Sequence, residues 1–85
     1  MLNSSIIEID VHGLTAAAAV AKIESVIAGA GNGVYRIRVI HGYNRGTSIR
    51  QAVYREIGHG LNPKVIRIDS GDNQGVTEIV LREYY

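Results

Sequence analysis

Residues 34–50 read VYRIRVIHGYNRGTSIR, an alternating apolar run that leads through a glycine-containing turn into a more polar segment. The first seven residues are rich in β-branched side chains and alternate in polarity, which predicts a strand over 34–40. Gly42 and Gly46 mark the turn. Apolar residues then recur at helical spacing: Ile49, Ala52, Val53 and Ile57. The stretch therefore predicts a strand that passes directly into a helix ending near residue 58.

The preceding sequence predicts the same order, a short strand followed by a longer helix. Residues 6–11 alternate apolar and polar side chains, as a strand does. Thr15 stands where an N-cap is needed, immediately before an alanine-rich helix predicted over 16–28. The sequence GAGNG at 29–33 ends that helix and supplies the connection to the next strand.

Two more strands complete the chain, over 64–69 and 76–83, joined by the turn-rich sequence SGDNQG. The order is therefore β-α-β-α-β-β. Successive strand-helix-strand units pair in parallel through right-handed crossovers, whereas the last short loop forms a hairpin. We predict an α/β two-layer sandwich in which two helices cover one face of a four-stranded mixed sheet.

The alternation within the strands assigns side chains to the two faces of this sheet. The covered face is predicted to contain Ile7, Ile9, Val11, Tyr35, Ile37, Val39, Ile66 and Ile68. The open face would contain Glu8, Asp10, His12, Arg36, Arg38, Arg67, Glu78 and Arg82. Four arginines on one exposed face suggest a surface for a polyanion. Cross-strand ion pairs between these arginines and the carboxylates are the alternative interpretation.

Size and composition narrow the function classes. The 85 residues are enough for a single domain over 1–85, with 46% hydrophobic and 20% charged residues. There is no cysteine, which excludes disulfides and thiolate metal sites, and the three histidines lack zinc-finger spacing. The N-terminal sequence lacks the features of a secretory signal, and no apolar run is long enough to span a membrane. A cytoplasmic protein is expected.

Positive charge is concentrated in the middle of the chain. Residues 35–67 hold seven cations, six of them arginine, against Glu56 alone, while the segments before and after are both net acidic. The planar guanidinium group binds phosphate in a bidentate way that lysine does not. This distribution favours a phosphate-bearing partner, although an arginine-rich solvated surface would give the same pattern.

Ionisable residues gather at the predicted carboxyl ends of the first two strands, where α/β sheets bind their ligands. Asp10 and His12 lie two residues apart and share a face, and His41 follows the second strand. These three residues are the catalytic candidates, with His12 or His41 transferring protons and Asp10 orienting an imidazole. The alternative is that Asp10 and His12 only bond each other and the backbone of the turn.

The turn and the helix start beside these residues are candidate phosphate ligands. Backbone amides at the start of the helix would favour an anion. The predicted phosphate-binding residues are Gly42, Arg45, Gly46, Thr47 and Arg50 in this turn and Arg36, Arg38 and Arg67 on the open face. Taken alone, the glycines and the hydroxyl residues are better interpreted as ordinary turn and capping residues.

The residues around the two histidines resemble the Smr (small MutS-related) domain family. Asp10, His12 and Gly13 match its first motif, with Ile9 in place of leucine. His41, Gly42 and Gly46 match the second motif, a histidine-glycine turn before a helix. The chain departs from this motif at Asn44, where a glycine is common. The final strand and its preceding loop also resemble the family. The resemblance covers nearly the whole chain, as in a stand-alone domain.

The resemblance implies a fold similar to the C-terminal domain of translation initiation factor three. It also implies nucleic-acid binding and, for several members, endonuclease activity on DNA or messenger RNA. We therefore expect a domain that binds DNA or RNA and cleaves the phosphodiester backbone. The alternative is a non-catalytic module that docks on nucleic acid or ribosomes. No cofactor is expected; metal-assisted hydrolysis is the alternative, but one aspartate is a thin basis for a magnesium site. No membrane partner is expected, and a monomer is favoured.

Overall fold

The structure is a computed structural model that describes residues 5–42, 47–58, 60–71 and 73–83. Within these residues the chain forms four strands and two helices in the predicted order β-α-β-α-β-β. The strands and helices are β1 (Ile6–Asp10), α1 (Ala16–Gly29), β2 (Arg36–Ile40), α2 (Ser48–Glu56), β3 (Arg67–Ser70) and β4 (Val76–Val80). The predicted fold class is confirmed.

The four strands form one mixed sheet in the order β1-β2-β4-β3. β1 and β2 are parallel, with Ile7 opposite Ile37, and β4 is antiparallel to both β2 and β3. The β3–β4 hairpin therefore folds back so that β4, the last strand, lies inside the sheet and β3 lies at its edge. This position explains why four of the five residues of β4 are buried, including the charged Glu78.

One hydrophobic core lies between the sheet and the two helices. The predicted helix faces supply its outer layer, with Ala19, Ile23 and Ile27 of α1 buried. The strand residues beneath them are buried as well, including Ile37 and Val39 of β2. Helix α1 begins as predicted, because the side chain of Thr15 accepts a hydrogen bond from the Ala18 amide at 3.1 Å. Its end at residue 29 falls within the predicted glycine-rich stretch.

The edge strand β3 is shorter than predicted. Lys64, expected to begin it, instead directs its Nζ to the carboxyl end of α1, where it donates to the carbonyl of Ile27 at 2.8 Å. Pairing with β4 begins with the bond from the Ile66 amide to the Val80 carbonyl, just before β3. The prediction that Ile66 lies on the covered face was wrong, since Ile66 is 52% exposed.

Candidate functional site

The candidate catalytic residues lie at one end of the sheet. Asp10, the last residue of β1, is paired with Ile40, the last residue of β2. Ile40 is in turn paired with Val76, the first residue of β4. The loop before β4 is fixed to the same end, since the amides of His41 and Gly42 both donate to the Gly75 carbonyl. The carboxyl ends of the parallel strands and the hairpin loop thus form one edge.

Asp10 and His12 form a direct pair at this edge. One carboxylate oxygen of Asp10 lies 2.5 Å from His12 Nδ1 and also accepts a hydrogen bond from the His12 amide at 3.0 Å. The hydrogen bonds from the imidazole and then from the amide lower the pKa of Asp10, which stays ionised. The side chains are 70% exposed for His12 and 52% exposed for Asp10. The aspartate therefore fixes Nδ1 as the donor, and Nε2 becomes the proton-accepting nitrogen of a neutral imidazole.

His41 is held in a different environment. Its residue exposure is only 6%, because position 41 continues the alternation that buries Ile37 and Val39. Nδ1 lies 2.8 Å from the Gly42 carbonyl, and Nε2 lies 2.7 Å from Thr77 Oγ1. A carbonyl can only accept, so Nδ1 carries a proton, and in the neutral ring Nε2 accepts from the threonine hydroxyl. Both ring nitrogens are therefore engaged in holding the turn to β4.

Gly42 connects the buried histidine to the exposed pair. Its φ is +73°, in the left-handed region that glycine tolerates best. A Cβ at this position would lie 3.6 Å from His12 Cβ, which places the turn backbone against the His12 side chain. The structure thus brings Asp10, His12 and Gly42 together. His41, the residue before Gly42, is buried, whereas Asp10 and His12 are exposed. Arg45 and Gly46, two predicted phosphate ligands, lie outside the residues that the structure describes, as does Asn44.

Helix α2 begins next to this edge with an uncapped first turn. Thr47 is its N-cap residue but makes no side-chain capping bond, and its hydroxyl accepts from Gln51 Nε2 at 2.8 Å instead. Thr47 therefore occupies the predicted capping position but makes no side-chain capping bond. Arg50, one turn further on, is half-buried and lines a cleft of about 260 Å³ with residues of the hairpin loop. A guanidinium group thus lies one turn from the start of the helix, where free backbone amides favour an anion.

The arginines of the open face make ion pairs. Three of them, Arg36, Arg38 and Arg67, pair with four carboxylates, those of Glu8, Asp69, Glu78 and Glu83. The ion pairs are Arg36–Glu78, Arg36–Asp69 (3.6 Å), Arg38–Glu78 (3.1 Å), Arg38–Glu8 (3.8 Å), Arg67–Asp69 (3.0 Å) and Arg67–Glu83. The structure supports the cross-strand interpretation for these arginines, and their role in binding nucleic acid stays a prediction.

Glu78 is the centre of this network. Its side chain is 10% exposed, and it accepts from both Arg36 and Arg38. Burial by itself raises the pKa of Glu78, but the two arginine hydrogen bonds outweigh it and hold the pKa below its ordinary value. Glu78 therefore remains ionised at neutral pH and pairs with two of the arginines that the sequence places on this face.

Sequence reasoning missed a second surface beside the candidate site. The outer side of α2 contains a groove of about 640 Å³ lined by Thr47, Arg50, Gln51, Tyr54 and Arg55. The signal was present, because these positions recur every three or four residues on the side of α2 opposite its apolar stripe. Thr77 was also missed as the partner of His41, since that contact depends on strand pairing.

Two further findings concern metal binding and membrane spanning. Among the described residues, no group of three histidine, aspartate or glutamate side chains is placed to hold a metal ion. In the same part of the chain, no helix has the length and apolar character needed to cross a membrane.

The fold and the polar edge define a two-layer α/β domain with an aspartate-histidine pair at one end of its sheet. Comparisons with known proteins agree with this fold. The family model of the Smr domain matches residues 9–82, so the chain belongs to the Smr domain family. The structure is similar to the Smr domain of MutS2 from Thermus thermophilus, with a TM-score of 0.76 and 27% sequence identity. That match covers 91% of this chain and 99% of the other. The comparison with curated proteins returned no match.

Proposed function

We propose that this Smr domain binds nucleic acid at the sheet end and cleaves its phosphodiester backbone. Members of the family generally bind nucleic acid, and some are nucleases. The observation that carries the proposal is the Asp10–His12 pair, in which a carboxylate 2.5 Å from Nδ1 orients an exposed imidazole beside the Gly42 turn. An imidazole held in one tautomer by a carboxylate is suited to general-base catalysis near neutral pH.

In this mechanism His12 is the base. Its Nε2 takes the proton from the attacking oxygen, either a 2′-hydroxyl or a water, as that oxygen forms a bond to phosphorus and the bond from phosphorus to the leaving oxygen breaks. The leaving oxygen takes its proton from solvent. The charge that builds on the phosphate is met by Arg50, the first-turn amides of α2 and Arg45. We assign His41 a positioning role, because both of its ring nitrogens hold the turn.

The test is incubation of the purified protein with labelled single-stranded RNA, nicked duplex and supercoiled DNA, with and without a chelator. His12→Asn should reduce the cleavage rate by about 100-fold or more with little change in affinity, as expected for loss of a general base. Asp10→Asn should give a smaller loss. A 2′,3′-cyclic phosphate end would identify the 2′-hydroxyl as nucleophile. Cleavage that survives His12→Asn at the wild-type rate would contradict the mechanism.

One observation favours a second candidate, a binding module without catalysis. The Asp10–His12 pair is largely exposed, whereas electrostatic catalysis is strongest where water is excluded. In that case the domain would dock on nucleic acid or ribosomes, and the wild-type protein would bind labelled strands without producing fragments. The cleavage assay separates the two candidates directly.

A further inference from the structure

We propose that the outer side of α2 is the track along which a single strand of nucleic acid lies, with Tyr54 as a stacking platform for an unpaired base. The proposal rests on the nucleic-acid binding proposed above and names its substrate class. It assigns the strand to α2 instead of the open face, on which the sequence had placed several phosphate ligands.

Electrostatics disfavour the open face. Its described ion-pair network sets four carboxylates against three guanidinium groups. Even with the exposed Arg82 counted, the charges balance, so the face offers no excess positive charge to a phosphate backbone. A polyanion would have to break the part-buried contacts of Glu78 before it gained any of its own.

Helix α2 offers the opposite balance. Arg50 has no carboxylate within ion-pair distance among the residues the structure describes. Arg55 contacts Glu56 at 3.1 Å, but the two side chains are 63% and 50% exposed, and such a surface pair is readily exchanged for a phosphate contact. Positive charge therefore lies at two points along the groove.

Tyr54 stands between these arginines on the helix surface and lines the same groove of about 640 Å³. An aromatic side chain flanked by cations is the arrangement that binds single strands, because every base has a face that stacks while the phosphates meet the positive charge. A duplex keeps its bases paired and has none to offer to the ring. The groove therefore favours an unpaired strand.

The groove is continuous with the candidate catalytic edge through Arg50. This residue also lines the cleft of about 260 Å³ that contains Ser70, Gly71, Asn73 and Gln74 of the hairpin. That hairpin loop is bonded to the His41–Gly42 turn. From Thr47 to Arg55 the helix rises about 12 Å, room for about three or four stacked nucleotides. A strand lying on α2 is thus directed by Arg50 toward the hairpin loop at the same end of the sheet as Asp10 and His12.

The test measures binding by fluorescence anisotropy with a labelled 12-nucleotide single strand, an abasic strand of equal length and a hairpin duplex. Tyr54→Leu should weaken binding to the base-containing strand by about tenfold, whereas Tyr54→Phe should stay within about twofold. Neither variant should change binding to the abasic strand or the duplex. Circular dichroism melts check that the variants are folded.

The arginines are tested by the salt dependence of binding. Arg50→Gln and Arg55→Gln should each lower the slope of log affinity against log salt by about 0.7, the value for one phosphate contact on a single strand. Arg82→Gln is the matched control, since Arg82 is an exposed arginine outside the groove. Its slope should equal that of the wild type.

The outcomes separate the inference from the function on which it rests. Binding that is unaffected by the Tyr54 and Arg50 variants, or weakened equally by Arg82→Gln, would overturn the α2 track and leave nucleic-acid binding in place. A wild-type protein that binds no strand at all would overturn both. Binding that depends on α2 without any cleavage would support the track and refute the endonuclease alone.

Discussion

Replacing Glu78 with glutamine tests the electrostatic design of the open face. Glu78 accepts hydrogen bonds from Arg36 and Arg38, whose side chains are 23% and 35% exposed, while its own is 10% exposed. The amide keeps one acceptor of similar shape but loses the charge. Hydrogen bonds to charged groups contribute about 1.5–3 kcal/mol each, and one of the two is largely preserved. We therefore expect Glu78→Gln to lower the free energy of unfolding by about 2 kcal/mol at pH 7.

The loss should depend on pH in a defined direction. The pKa of Glu78 is lower in the folded protein than its ordinary value of 4.5, so ionisation of this carboxylate stabilises the fold. That contribution is complete above the unfolded-state pKa and disappears as the pH falls through the folded-state pKa. The wild type should therefore lose more stability than the variant on acidification, so that the difference between the two becomes smaller as the pH falls.

The measurement is urea unfolding followed by circular dichroism at pH 7 and pH 3, with thermal melts as a second readout. For a domain of this size a loss of about 2 kcal/mol corresponds to about 10 °C in Tm. Glu8→Gln is the control, since Glu8 is 57% exposed and lies 3.8 Å from Arg38, a pair expected to contribute about 0.5 kcal/mol or less. Equal losses for the two variants, or a Glu78→Gln loss that is the same at both pH values, would refute the reasoning.

Three other substitutions test features that position the site. Gly42→Ala should cost about 1–2 kcal/mol, because its φ of +73° is strained for alanine although the added Cβ meets no clash, whereas Gly31→Ala, with open space and no positive φ, should have little effect on Tm. Thr77→Val removes the hydroxyl bonded to the buried imidazole and should cost about 1–3 kcal/mol in denaturant unfolding, with Thr77→Ser close to wild type. Lys64→Met should lower stability by about 1 kcal/mol, since Nζ no longer bonds the carbonyls at the end of α1, and an unchanged unfolding midpoint would show that this contact contributes nothing.

The order and type of the secondary structure elements followed from local sequence. Periodicity is a local property, and here it agreed with the tertiary structure in the type of every element, although β3 begins later than predicted and Ile66 is exposed. The position of β4 between β2 and β3 could not be read in this way, because strand order depends on contacts between residues far apart in sequence. The burial of Glu78 is the result, since VTEIV gives no local sign that its glutamate lies in a central strand.

The same limit applies to the candidate site: its local features could be predicted from the sequence, and its long-range contacts could not. The Asp10–His12 contact follows from a spacing of two residues at the end of a strand, and the structure forms it. The burial of His41 was also available from the alternation that buries Ile37 and Val39. The partners of the open-face arginines were not, because each ion pair depends on the register between strands.

The charged sheet surface also affects how this domain behaves among other proteins. An uncovered sheet face ordinarily favours association, because a second sheet can pack against it with interdigitated side chains. Here such stacking would require the removal of water from a network of guanidinium and carboxylate groups. The free energy needed to desolvate these ions exceeds the free energy gained from the contact. The domain can therefore leave one side of its sheet uncovered and still resist face-to-face aggregation when crowded.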